Sequence, residues 1–261
     1  MQEYPDFFPD CIDRIARDAL NSAAVDHRYL DALQNGALPN MRLALQDFAF
    51  QYGFYNSRFV EYVTAVIENA STEKHRKILA GNVAEEKGGV HEPGHPDKRF
   101  AGVSGVPHSE LYNRFQIALG IDDEYRSAAS PAETVLLWRQ QFLALCQLNE
   151  YVGIGAIGIG TELLVSEIYS KLLAAIKSHT ALSAEQYIFF DLHSVCDKEH
   201  ASQILLISKD LAVNRQACEQ IEYGAKMAVQ MRLIFWDKMY ERALQFPGEA
   251  MPDDNIVNYG Y

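Results

Sequence analysis

The sequence predicts an all-α fold, a single-domain bundle of helices, and three observations support this prediction. Apolar residues recur with helical spacing over most of the 261 residues, and the alternating pattern of a β-strand is nearly absent. Hydrophobic residues make up 48% of the chain and charged residues 22%, a composition that provides a substantial core. Since no repeat and no linker rich in glycine, serine or proline interrupts the chain, we expect one domain over residues 1–261.

Seven segments have helical periodicity, and turn-forming residues mark several of their ends. Pro39-Asn40 precedes the second segment, Gly88-Gly89 ends the third, and Phe246-Pro247-Gly248 follows the last. Together the segments predict a helical core over about residues 9–246. The predicted helices span residues 9–33, 40–70, 73–88, 108–119, 131–177, 184–207 and 210–246.

Residues 89–107 form a long irregular insertion between the third and fourth predicted helices. The insertion is rich in glycine and carries His91 and His95. Long loops in compact domains are commonly functional, so we expect either a mobile lid over a site or a tolerated surface insertion. Residues 250–261 are predicted to be a partly ordered C-terminal tail.

Charge argues against two classes of partner. The chain carries a formal net charge of −12 and has an isoelectric point near 5.1. Non-specific attraction to nucleic acid or to an anionic membrane requires a basic surface, so we expect neither partner.

The cysteines and the N-terminal sequence predict a reducing, cytoplasmic setting. The four cysteines are widely spaced and form no Cys-x-x-Cys pair, and the first residues lack the basic and apolar pattern of a secretory signal. The most apolar stretch, Tyr151 to Val165, is too short to span a bilayer.

Three polar residues share one face of the sixth predicted helix. His193, Asp197 and His200 stand at positions i, i+4 and i+7 and therefore span only about 60° around the helix axis. Imidazole and carboxylate ligands together suit non-heme iron or manganese. A solvated polar face with two unrelated histidines is the alternative, and a metal site would need ligands from other helices.

Two further segments offer such ligands. Glu85 and Glu86 end the third predicted helix, where acidic side chains oppose the helix dipole and metal binding would offset the cost. Glu162 lies within a run of glycines and aliphatic residues suited to complete burial, where a carboxylate requires a charged partner or a metal. Simple exposure is the alternative for both segments.

The same glycine-rich run contains Gly153, Gly155 and Gly158, a formal match to the dinucleotide-binding fingerprint. That motif requires a strand before the glycines, and none is predicted here. We therefore expect these glycines to allow close approach of a helix or a ligand.

Taken together, these segments resemble the heme-oxygenase-like diiron oxidases and oxygenases, including the CADD-like proteins and, more distantly, the PqqC and TenA families. The resemblance covers roughly residues 40–240, and it implies a heme-oxygenase-like seven-helix bundle. In that superfamily a helix ends in Glu-x-Gly, as at Glu86, and a histidine opens the next helix, as in His108-Ser109-Glu110-Leu111-Tyr112. The metal ligands that the resemblance implies are Glu86, His108, Glu162, His193, Asp197 and His200.

The chain departs from the family pattern in two places. The insertion separates Glu86 from His108, so the assignment of His108 rather than His91 or His95 requires the chain to loop out between them. Many family members also provide a carboxylate from the earliest core helix. Here the core-facing positions of that helix are aromatic (Phe48, Tyr52, Tyr55 and Phe59), while Asp47, Gln51 and Glu61 lie on another face.

The resemblance implies a cytoplasmic enzyme in which two ferrous ions, or manganese, react with O2 and oxidise a small molecule. The substrate would be amino-acid-like or fatty-acid-like, or a side chain of the protein itself, as in CADD-type proteins; a homodimer is left open. Alternatives are a metal-free enzyme similar to PqqC or TenA, with Cys146 or Cys196 as the TenA-type nucleophile, and a non-catalytic protein-interaction module.

Overall fold

The computed structural model describes residues 9–89, 100 and 103–248 of the chain. Within these ranges every regular element is helical, which confirms the all-α class. His91, His95, most of the insertion and the tail 250–261 lie outside the described residues. The helices are α1 (Pro9–Leu20), α2 (Arg28–Gln34), α3 (Met41–Asn56), α4 (Phe59–Asn69), α5 (Glu73–Glu86), α6 (His108–Ala118), α7 (Asp123–Ala128), α8 (Glu133–Leu148), α9 (Glu150–Ile154), a π-helical segment (Gly155–Glu162), α10 (Leu163–His179), α11 (Ala184–Leu211) and α12 (Arg215–Ala243).

Local breaks divide three of the predicted helices in the structure. Residues 9–33 form α1 and α2, and residues 40–70 form α3 and α4. Within residues 131–177, Asn149 adopts an extended backbone with φ −171° and ψ 173°, and its side chain accepts a hydrogen bond from the backbone N–H of Val152. Asparagine is a strong N-cap residue, so it ends α8 and starts a new helix without interrupting the apolar pattern.

One continuous helix, formed by α9, the π-helical segment and α10, runs through the centre of the bundle from Glu150 to His179. In the described part of the chain it alone is long and apolar enough to cross a membrane, and 78% of its most apolar window is buried by other helices of the bundle. The apolar stretch Tyr151–Val165 thus lies within a helix that is long enough to cross a membrane, although the stretch itself is not. Its burial is that of a core helix in a bundle.

Glycines allow this central helix to pack directly on α12. A Cβ atom at Gly155 would lie 2.1 Å from the carbonyl oxygen of Ile221, and one at Gly224 would lie 2.1 Å from that of Val152. A Cβ at Gly160 would meet the Cβ of Ala228 at 2.5 Å. The glycines therefore serve helix packing, as the sequence predicted. The element that precedes them in the described chain is a helix, so the strand that the dinucleotide-binding motif requires is not found there.

A disulfide joins the first and last helices of the described chain. Cys11 in α1 and Cys218 in α12 are bonded, with their Cα atoms 6.5 Å apart across 207 residues of sequence. The sequence predicted reduced cysteines because none are close together along the chain. The fold brings Cys11 and Cys218 together, so the prediction is wrong for this pair. Disulfides are rare in reducing compartments, so the cytoplasmic location stays a prediction.

We expect loss of this disulfide to lower the melting temperature by about 4–8 °C, because a cross-link over so long a loop restricts the unfolded chain. The measurement is calorimetry of the wild-type protein and of the Cys11→Ser variant, each with and without dithiothreitol. The reductant should shift only the wild-type protein. Equal melting temperatures in all four samples would mean that the cross-link adds no stability.

Candidate metal centre

Glu86 and His108 stand on either side of the insertion, and the fold brings them together. Gly88 follows α5 with φ +80°, and a Cβ atom there would lie 2.8 Å from both the carbonyl oxygen of Gly105 and the nitrogen of Pro107. The two ends of the insertion are therefore packed against each other. This places the last residue of α5 beside the first residue of α6, as the assignment of His108 requires.

Glu86, His108 and His193 form a compact buried cluster. One carboxylate oxygen of Glu86 lies 3.1 Å from Nδ1 of His108 and 3.6 Å from Nε2 of His193. The ligand atoms of all three side chains lie within 4.8 Å of one another. Two ligands that bind one metal ion at about 2.1 Å and at right angles are about 3 Å apart, so the spacing fits a shared ion.

The hydrogen bonds of the cluster also fit a cation. Nδ1 of His193 lies 2.7 Å from the carbonyl oxygen of Phe189 and donates its proton there, which leaves a lone pair on Nε2, facing Glu86. Nδ1 of His108 is buried and makes no hydrogen bond, although Glu86 is close. The histidine nitrogens and the carboxylate of Glu86 thus face one another in a buried space, an arrangement that a metal ion would stabilise.

The electrostatics of Glu86 and His193 favour the protonation states that bind metals. Burial acts to raise the pKa of Glu86, but His108 and His193 more than offset it and hold the pKa below its usual range. Burial lowers the pKa of His193. Glu86 is therefore ionised at neutral pH, the form in which a carboxylate binds metal, and burial of His193 favours the neutral imidazole that a metal requires.

A second group of side chains adjoins this cluster. Nδ1 of His200 lies 4.0 Å from an oxygen of Glu162, and Nε2 of His200 forms a short hydrogen bond with Glu85. Burial raises the pKa of Glu162 to about 7. Burial opposes the shift at His200, but the bond to Glu85 raises its pKa to about 9. Without metal, His200 therefore carries the positive charge between the two glutamates.

Asp197 belongs to α11, but its side chain is outside the described atoms. Its helical position places it between His193 and His200 along the axis, so the shared face predicted from the sequence is present in the backbone. Both histidines are buried, which argues against the solvated alternative. The role of Asp197 stays a prediction.

A narrow cavity of about 20 Å³ opens beside Glu86, Glu162 and His193. This volume is close to that needed for one water molecule. Aromatic side chains supply much of its wall, and the lining residues outside the acidic and histidine groups are Tyr52, Tyr55, Asn56, Phe59, Thr161, Val165 and Tyr169.

The early-helix carboxylates are not part of the cluster. Both oxygens of Asp47 accept hydrogen bonds of 2.7 Å from Arg242, and Glu61 pairs with Arg58 near the surface. In place of a carboxylate, α3 directs Tyr52 and Tyr55 to the cavity. The aromatic face expected for this helix therefore forms the wall of the site.

The sequence did not identify every residue of the site. The bond between Glu85 and His200 was missed because the family resemblance assigned a role to Glu86 alone. Tyr169 was also missed, although it follows Glu162 by seven residues and must share its helix face. Tyr151 lines a different pocket, together with His75.

Comparison with known proteins identifies the family. The profile of a family described as iron-containing redox enzymes matches residues 46–233. The chain belongs to this family. It is an oxidoreductase, and iron is the metal that the family description indicates for a site of these ligands.

Curated relatives are similar at low identity. The chain is 24% identical over 237 residues to a 4-aminobenzoate synthase of Chlamydia muridarum, with 90% of this chain and 91% of the relative covered. It is 22% identical over 178 residues to a 4-aminobenzoate synthase of Chlamydia pneumoniae, covering 68% of this chain and 71% of the relative.

Solved structures confirm the fold of this iron-containing redox enzyme. A CADD-like protein of Nostoc punctiforme superimposes with a TM-score of 0.72 at 13% identity, covering 91% of this chain and 98% of the other. A heme-oxygenase-like domain of Shewanella denitrificans gives 0.66 at 12% identity, covering 88% and 89%. A TenA homologue of Pseudomonas syringae gives 0.67 at 10% identity, covering 90% and 91%.

Proposed function

We propose that the protein is a non-heme diiron enzyme that uses O2 to oxidise a small molecule. The observation that supports this proposal is the buried cluster of Glu86, His108 and His193, whose possible ligand atoms all lie within 4.8 Å of one another. Family membership supports iron as the metal. Manganese in one position is compatible with the same ligands.

The first iron ion would be bound by Glu86, His108 and His193. Bound ferrous iron would supply the electrons that reduce O2. His193 is oriented by its bond to the carbonyl oxygen of Phe189, which fixes the tautomer with Nε2 available. The aromatic wall excludes bulk water from the reacting face.

The second iron ion would be bound by Glu162, His200 and Asp197. Glu162 and His200 are buried and adjacent, and Glu85 forms the further contact to His200. Since His200 is protonated without metal, binding of this ion would release a proton. The partial neutralisation of Glu162 supports the need for a cation here.

Two classes of substrate follow from the site. One is an external small molecule, amino-acid-like or fatty-acid-like, which would have to enlarge the narrow cavity on binding. The other is a side chain of the protein itself. Tyr52, Tyr55 and Tyr169 line the cavity, and the relatives named 4-aminobenzoate synthases make an aromatic product, so a tyrosine is the side chain that we propose in this second case.

The metal-free alternative has less support. Burial raises the pKa of Cys146, and its thiol is fully enclosed, so it is a poor nucleophile. The side chain of Cys196 is outside the described atoms. A non-catalytic interaction module would have no use for a buried cluster of a carboxylate and two imidazoles spaced to share a metal ion.

The test is anaerobic loading of the metal-free protein with ferrous iron, followed by addition of O2. We expect close to two iron ions per chain, and O2 uptake that requires iron. Intact-mass measurement and peptide mapping then separate the substrate classes, since a changed tyrosine peptide indicates modification of the protein itself. Absence of binding tighter than millimolar, or equal O2 uptake by chelator-treated protein, would contradict the proposal.

A further inference from the structure

Arg232 in α12 is a buried cation without a counter-ion. The residue is only 1% exposed, and no salt bridge joins it to a carboxylate within the described residues. Burial acts to lower its pKa, but the hydroxyl groups of Tyr52 and Tyr55 more than offset this, so the guanidinium remains charged. Because an isolated buried charge is costly, its retention indicates a purpose beyond packing.

Several hydrogen-bond donors at and beside Arg232 are unused. Within the described residues, Nε and Nη1 of the guanidinium have no partner, while the hydroxyl of Tyr52 contributes a hydrogen bond to the group. The guanidinium carbon lies 5.8 Å from the ring centre of Tyr55 and 5.5 Å from that of Trp138, and these two rings stack at 3.9 Å. The hydroxyl of Tyr55 and the indole N–H of Trp138 are also unpartnered. A buried cation with unused donors on it and beside it is complementary to an anion.

This region adjoins the cavity of the metal centre. Tyr52, Tyr55 and Tyr169 contribute to the electrostatic environment of Arg232, and the same three side chains line the cavity beside Glu86 and His193. Thr161, another lining residue, has a buried hydroxyl without a partner. Close packing of α12 on the glycines of the central helix places Arg232 at this level of the bundle.

We propose that Arg232 anchors a subsite that binds the carboxylate group of a small-molecule substrate behind the tyrosine wall of the metal centre. A guanidinium can bind both oxygens of a carboxylate through two parallel N–H donors. The rest of the substrate would then extend past Tyr52 and Tyr55 towards the metal ligands. This inference rests on the proposed function and deepens it, since it names a carboxylate as the substrate class.

The test measures the melting temperature of the metal-free protein with sodium benzoate, sodium acetate, sodium chloride or the neutral analogue benzamide, at matched concentrations. Because no metal is present, carboxylate binding to iron does not contribute. The variants are Arg232→Met, Arg232→Lys and, as a control, Arg114→Gln on the exposed surface of α6. Replacing a buried charge by an apolar side chain of similar volume is compatible with folding, so we expect Arg232→Met to fold.

We expect benzoate or acetate to raise the melting temperature of the wild-type protein and of Arg114→Gln by about 3–8 °C, and that of Arg232→Met by less than about 1 °C. Chloride and benzamide should have little effect. Arg232→Lys should bind benzoate at least about tenfold more weakly, because lysine lacks the paired donors.

Several results would contradict the proposal of a carboxylate subsite at Arg232. These are no shift of the wild-type protein with either carboxylate, an equal shift in Arg232→Met, an equal shift with benzamide, or an equal shift with chloride, which would indicate a site for inorganic anions. If Arg232→Met does not fold, an unchanged affinity of Arg232→Lys for benzoate would contradict the proposal. Iron loading is measured separately, so failure of the diiron proposal is distinguishable from failure of this one.

Discussion

The His193→Ala variant is expected to lose at least one equivalent of bound iron and nearly all iron-dependent O2 uptake. Nε2 of His193 faces Glu86 with its lone pair, and the bond from Nδ1 to Phe189 prevents the other tautomer. Loss of a group that merely orients a ligand weakens metal affinity about 10–100-fold, so loss of the ligand itself should exceed that range. His200→Ala should also remove at least one equivalent.

Two control variants accompany these measurements. Asp47→Asn removes a buried carboxylate that pairs with Arg242, and it should leave the iron content of the folded protein unchanged. His179→Ala changes a histidine near the end of α10 that contacts Gln34, and it should also retain full iron content. Elemental analysis and far-ultraviolet circular dichroism are the readouts. Full iron occupancy in His193→Ala with an unchanged helical signal would remove His193 from the ligand set.

The histidine that completes the Glu86 site is decided by three single variants, His91→Ala, His95→Ala and His108→Ala. His108 is expected to be the one that matters because it lies 3.1 Å from Glu86. The prediction would be wrong if His95→Ala lost iron while His108→Ala retained it. The insertion would then contribute a ligand directly.

The features predicted from the sequence were those that depend on local spacing. The positions of His193 and His200 on one face follow from the helical repeat, and burial of Glu162 follows from the apolar residues around it. Helix breaks were missed at Asn149 and between α3 and α4, because apolar periodicity continues through a capped break. Periodicity reports which face is buried and says little about where the backbone turns.

Contacts between distant segments required the fold. The pairing of Asp47 with Arg242 spans 195 residues, and the disulfide between Cys11 and Cys218 spans 207. No local pattern specifies either partner. Arg232 could not be singled out from the sequence for the same reason, since a lone arginine in an amphipathic helix is ordinarily expected to reach solvent.

The Gly155→Ala variant is expected to melt about 10 °C or more below the wild-type protein. The new Cβ would lie 2.1 Å from a backbone oxygen of α12, and backbone cannot rotate away as a side chain can. Overpacking a core costs about 1–3 kcal/mol and more where the structure cannot adjust. The two helices would have to separate, which would displace Glu162 and Arg232 relative to each other.

Two matched glycine variants show whether the loss of stability comes from the clash with backbone or from alanine at any helical glycine. Gly158→Ala would place its Cβ 2.2 Å from a methyl group of Ile204, a side chain that can move, so its effect should be smaller. At Gly81, within α5, a Cβ would meet nothing within 4 Å, and alanine there should raise the melting temperature by about 1–3 °C, because it restricts the unfolded chain and favours helix. Calorimetry should therefore rank the variants Gly81→Ala, Gly158→Ala and Gly155→Ala in decreasing stability.

A Gly155→Ala protein as stable as wild type would contradict the prediction. It would mean that α12 is not held against the central helix by backbone contact, and the placement of Arg232 beside the metal centre would lose its structural basis.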